Sequence, residues 1–441
     1  MRRAAPQNIH PAVARAFAPQ PQSAPAEPSR PTAIKNGLEL LWHAKLGESL
    51  SYAVKMPGAP LLAAATGEGA VVFVSSEDGK VAARCDDLCD APPNVMLFAS
   101  AWLVHCSDDS MVRIVASDTA KVVHTHVVAE PAEAGKRSRC VAIDHAVILD
   151  GAAFVAAAGT LVHACSVPGG ELVHTLHAPS PVRAMCVAPE GQSSEWAYAI
   201  AYKGGVQLVA KDGVVLRELR TQRVLNSLDA FGPWIAAAAY DGIIELWDLV
   251  TPRHSEAPNA HILLRATCGI NGSSLAWRPD GGALAAGGAR AAVFDFTGAA
   301  PAHPYRRQHA PPAGQPDPVP RVCMADGGHI VEWAPPGDSH RADGTPMSEF
   351  ASLNTQEGQV RLWQPHGTPL KKGGSGNPSQ PQLMKPQFYT FTKQDAVHPS
   401  GEAVEACSLM WLSQSAVAVG YFTGEIVAWR VAGADDAIAI V

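Results

Sequence analysis

Short runs of small apolar residues alternate along this chain with strands of bulkier residues, and a polar turn separates each pair. The clearest copy is Trp234–Tyr240 (WIAAAAY), the turn Asp241-Gly242, then Ile243–Asp248 (IIELWD). Seven drifting copies accompany it. Leu61–Gly69 leads into Val71–Val74, Trp102–Cys106 passes Asp108-Asp109 into Val112–Val115, and Phe154–Gly159 leads into Leu161–Ala164. Trp196–Tyr202 passes Gly204-Gly205 into Val206–Val209, and Ala283–Gly288 precedes Ala292–Phe296. Phe350–Leu353 passes Gln356–Gly358 into Val360–Trp363, and Ala416–Gly420 passes Thr423-Gly424 into Ile426–Trp429. Period-2 runs joined by Gly or Asp turns predict hairpins, with glycine supplying the positive φ that tight turns need. Helical periodicity is nearly absent, so the chain is predicted to be all-β.

Eight such units are too many for one two-sheet sandwich. Radial closure accommodates them and protects strand edges that separate small sheets would expose. In that arrangement the Ala- and Gly-rich strand suits the crowded region where sheets converge on a central channel. The bulkier Val, Leu and Trp of the next strand fill the wider gaps between sheets.

Trp247-Asp248, and the phrase Leu275–Gly281 (LAWRPDG) followed by Ala283–Gly288, resemble the WD40-repeat β-propeller family. The resemblance covers roughly residues 38–431 and is degenerate: Phe294-Asp295, Trp363-Gln364 and Trp429-Arg430 stand where the dipeptide would be. No repeat carries the usual Gly-His in its expected place, and Gly328-His329 falls in the wrong context. The resemblance implies a single propeller of seven or eight four-stranded blades. It also implies that the strand Leu38–Trp42 zips onto the last blade and closes the ring. Early units are spaced near the ~40–45 residues of a WD40 blade. Spacing lengthens around the seventh, where inserts at about 299–320 and 365–386 are rich in Pro, Ala, Gly and Ser. These compositions suit surface segments.

The ends read as tails, residues 1–37 and 432–441. The first carries Arg2, Arg3, Arg15 and Arg30 with no acidic residue before Glu27, as an organellar transit peptide would. Pro11, Pro19 and Pro21 argue against a long amphipathic helix there, so a plain tail on a cytoplasmic protein is the expectation, with organellar targeting as the alternative. Of 441 residues, 47% are hydrophobic and 17% charged, and the formal net charge is -7. That balance gives no electrostatic reason to expect nucleic acid as a partner. Without a stretch of about eighteen strongly apolar residues, membrane insertion is not expected either. Nine cysteines scattered from Cys85 to Cys407 read as reduced thiols rather than a disulfide framework.

Candidate chemistry is sparse. No phosphate-binding G-x-x-x-x-G-K-[ST] loop, G-x-S-x-G elbow or H-E-x-x-H motif is present. Cys85 and Cys89 are spaced as two ligands but lack a second Cys/His pair, and His303 and His309 lie in the first insert. The expectation is therefore no cofactor, no metal and no catalytic residue: a non-catalytic protein-interaction scaffold or adaptor subunit, not an enzyme. It would bind a protein or peptide on one face of the ring. Tyr202, Tyr240, Asp241, Tyr421 and Phe422 flank blade turns and are the candidate partner-binding residues, with burial between blades as their structural alternative. The second reading is a small-molecule enzyme on a propeller, such as a metal-dependent hydrolase. It would require carboxylates or histidines clustered in the channel.

Overall fold

The computed structural model describes residues 38–431 except 87, 90–91, 129–140, 190–194, 250–260, 266–273, 280, 296–320, 329, 335–349, 365–391 and 414. Both tails, both inserts, His303 and His309 lie outside the described residues.

The described chain is an all-β propeller of eight blades. Each blade is an antiparallel meander running from the channel outwards, as in blade 1: Leu50–Lys55, Leu61–Thr66, Val71–Ser75 and Val81–Cys85. The first strands of successive blades touch in order around a closed ring, with Ala406–Trp411 of blade 8 against Leu50–Lys55 of blade 1. Blade 8 is completed by the start of the chain. Leu38–Lys45 pairs antiparallel with Glu425–Val431, from Leu38 opposite Val431 to Lys45 opposite Glu425. Blade 6 departs from the pattern. Ala283–Asp295 is one continuous strand that pairs with Ser274–Trp277 along its first half and Arg321–Gly328 along its second.

The position of the alanine-rich strands also differs from expectation. They are the second strand of each blade, not the innermost one. Every residue of Trp234–Ala239 and of Ala416–Tyr421 is buried. Flanked on both faces by neighbouring blades, these strands need small side chains so that the sheets can approach. Burial resolves into eight apolar clusters, one per junction between blades. Trp247, for example, packs with Ala201, Leu208, Leu228 and Ile235 between blades 4 and 5. Close packing of this kind makes each junction sensitive to lost volume.

The innermost strands mix polar with apolar residues because one side faces the channel. Many of these polar groups sew blades together. Asp229 accepts from Trp277 N (2.6 Å), Ser227 Oγ from Leu275 N (3.1 Å) and Ser274 Oγ from Val331 N (3.1 Å). Trp333 Nε1 donates to Ala276 O (2.7 Å).

Candidate metal centre on blade 8

A meander brings two kinds of connection to one face of the ring: turns between second and third strands, and links from one blade to the next. On blade 8, three segments meet at that face. The turn Tyr421–Gly424 is closed by Gly424 N donating to Tyr421 O (3.0 Å) and delivers Glu425 as the first residue of the third strand. Gly424 has φ 88°, and a Cβ there would lie 1.7 Å from Glu48 O, so only glycine fits. The closing strand brings His43 and Lys45 beside Glu425. The link from blade 7 contributes His398, held in a tight turn in which Gly401 N donates to His398 O (2.8 Å).

His43, His398 and Glu425 place their ligand atoms within 4.8 Å of one another. His398 Nε2 lies 2.7 Å from Glu425 Oε2, and His43 Nε2 lies 3.2 Å from Oε1. His43 Nε2 is buried and, despite that separation, has no hydrogen bond of good direction, so its ring nitrogen is poorly used by the protein itself. Lys45 Nζ sits 3.1 Å from Oε1, and Thr423 Oγ1 donates to Oε2 (3.1 Å). Contact from His398, then from His43 and Lys45, holds the Glu425 carboxyl far below the usual carboxylate range, against the opposing effect of partial burial.

The surroundings fix the His398 ring. It is buried, and Tyr421 stands edge-on to it with centroids 4.7 Å apart. Tyr421 is itself fully buried and donates to Gly358 O of blade 7 (3.2 Å). On the other side of the ring, Ser400 Oγ lies 2.8 Å from His398 Nδ1, and Ser400 N donates to that nitrogen at 3.3 Å. This leaves the proton on Nε2, facing Glu425. Freeing the Nε2 lone pair for a metal would require the proton to move to Nδ1, with Ser400 Oγ accepting it and the Ser400 N–H contact given up.

The donor set fits a divalent cation. Two imidazoles and one carboxylate with an open side are the protein ligands of one type of catalytic zinc site, and bonds of about 2.0–2.2 Å put neighbouring donors about 3.3 Å apart. The observed 2.7 and 3.2 Å separations both fall short of that spacing, so a cation would enter by pushing the donors slightly apart.

This cluster overturns the expectation of a non-catalytic scaffold and of a protein without enzymatic function. Charged and imidazole side chains do converge, but where the third and closing strands of blade 8 meet the link from blade 7. The five expected partner residues are scattered. Tyr202 and Tyr421 are buried, Tyr202 donating to Glu218 Oε1 (2.5 Å) and Tyr421 packing on His398. Tyr240 is 42% exposed, Asp241 pairs with Arg223 (2.6 Å), and half-buried Phe422 sits in the turn before Glu425. Cys85 is buried, and Cys89 Sγ reaches His105 Nε2 only at 3.9 Å. Among the described residues neither cysteine joins a group of three possible ligands. No described helix is long and apolar enough to cross a membrane.

No protein-family profile matches the chain, and no curated protein does. Among solved structures it is similar to the crystal structure of the computationally designed Ika8 protein, with a TM-score of 0.56 and 15% identity. The match covers 89% of this chain and 99% of that one. At such identity the likeness speaks for the fold alone: the chain is an eight-bladed β-propeller.

Proposed function

We propose that this protein is a metal-dependent hydrolase of small molecules, with His43, His398 and Glu425 holding the cation. The convergence of these three side chains from distant segments carries the reading. Nitrogen-rich donors favour zinc over magnesium or calcium. A cation held there would supply Lewis-acid chemistry, polarising a carbonyl or phosphoryl oxygen. The chain's own residues do the rest. Tyr421 and the His398–Gly401 turn hold one imidazole in place, Ser400 sets its tautomer, and exposed Lys45 and Thr423 stand ready to orient a substrate. Kinship with the WD40 family is a finer proposal resting on Trp247-Asp248 and Leu275–Gly281.

Purified protein stripped with chelator and titrated with Zn2+ should take up a single equivalent, and H398A and E425Q should not. Hydrolysis of a panel of ester and phosphoester substrates should vanish on stripping and return with metal. Equal Zn2+ uptake by wild type and E425Q would refute the assignment.

A further inference from the structure

Resting on that metal-site reading, we infer that the substrate carries a phosphoryl group, bound by Lys45 beside the cation. Lys45 is 67% exposed, so its ammonium has freedom to move, yet it sits 3.1 Å from Glu425 Oε1. In the metal-free protein the Lys45 ammonium stands against the Glu425 carboxylate and offsets its charge. A divalent cation would compete with the ammonium for the same carboxylate. It would displace Lys45 from Glu425 and leave two uncompensated positive charges at an open face. The other acids near this face are Glu48, Glu402 and Glu405. Glu48 is engaged with Arg84 (2.5 Å), and Glu402 reaches the His398 turn through its backbone N, which donates to Ser400 Oγ (3.3 Å). Glu405 likewise meets the neighbouring turn through its carbonyl, which accepts from Phe422 N (3.0 Å).

A phosphate monoester carries about −1.5 to −2 charge at neutral pH with three acceptor oxygens. It matches the charge, and its separate oxygens can meet the cation, Lys45 Nζ and the exposed Thr423 hydroxyl together. A carboxylate has half the charge and two oxygens in one plane. In the hydrolysis, water's oxygen bonds to phosphorus as the bond from phosphorus to the alcohol oxygen breaks. One proton from the water ends on the leaving alcohol and the rest stay with inorganic phosphate.

The test is calorimetry of inorganic phosphate binding to full-length protein preloaded with Zn2+ and freed of excess metal. Metal-stripped protein, K45M and K45R are run in parallel, and acetate serves as the carboxylate probe. Phosphate should bind the loaded form far more tightly than the stripped form and more tightly than acetate. K45M keeps the stem and should weaken phosphate about tenfold, the loss of one charge-assisted hydrogen bond; K45R should recover most of it. Zn2+ uptake with phosphate binding unchanged by K45M, or with acetate binding as tightly, overturns the phosphoryl assignment alone. Failure of Zn2+ uptake overturns the metal site and this inference together.

Discussion

Glu245 and Glu425 both sit early in the third strand of a blade, and in both cases the link from the preceding blade supplies a partner, to which the closing strand of blade 8 adds His43 and Lys45. Blade 5 answers with Arg223, whose Nε lies 3.0 Å from the Glu245 carboxylate, and with Thr221 Oγ1 at 2.8 Å. Arginine cannot give up its charge or offer a lone pair, so that corner is a structural ion pair between buried Glu245 and part-exposed Arg223. Blade 8 answers with imidazoles, which can do both. Glu245→Gln should therefore destabilise the fold by about 1 kcal/mol, seen as a lower urea midpoint, because it weakens a charge-assisted contact at a 2%-exposed position while part-exposed Arg223 keeps Asp241. It should leave Zn2+ uptake untouched. Asp229 makes a second prediction at this scale. Burial pushes its carboxyl up to about 6 from 3.8, despite donors at Trp277 N and Ala230 N. The folded chain then keeps a proton that the unfolded chain has released, so stability falls as pH rises through that window and levels above it. The drop is on the order of 2 kcal/mol. Asp229→Asn keeps an acceptor but cannot ionise, and urea midpoints at pH 4 and 7 should show the drop largely removed.

At the scale of the strand, what could be read in advance followed from burial on both faces. The alanine runs and Trp247 announce themselves because both sides of those strands pack against protein. Trp247→Ala should cost about 3–5 kcal/mol, measured by denaturant unfolding, since the ring fills the junction of blades 4 and 5. The first strands were harder to see. Ala184–Val187 and Ile330–Trp333 have four residues each, too few for an alternation to stand out, and Glu332 breaks the apolar run of the second. The metal centre left still less of a trace. Local spacing finds ligands that share a helix or a loop, whereas His43, His398 and Glu425 come from three segments joined only by the ring's closure. Pairing of Leu38–Trp42 with the last blade was legible and puts His43 on the right sheet. The register that sets Lys45 opposite Glu425 was not, because it is fixed by packing of both strands against blades 7 and 1. The turn His398–Gly401 was the one local clue, a histidine held in a Pro-Ser-Gly bend.

Across the whole molecule, stability and the proposed metal centre depend on the same seam. Trp42 of the closing strand is buried against Gly79, where a Cβ would come within 2.7 Å of the indole, and its Nε1 donates to Ser76 O of blade 1 (2.9 Å). Trp42→Ala should thus loosen blade 8 from blade 1 and weaken Zn2+ binding without touching a ligand. Zn2+ at a hundred times its Kd should raise wild-type stability by about 2.7 kcal/mol and raise Tm, with no such gain for H398A. The seam also ties the metal to the order in which the chain is made. His43 leaves the ribosome among the earliest residues of the propeller and Glu425 among the last. No chain that stops short of Glu425 can offer all three side chains, so a nascent propeller would have no means of capturing an ion there before its ring has closed.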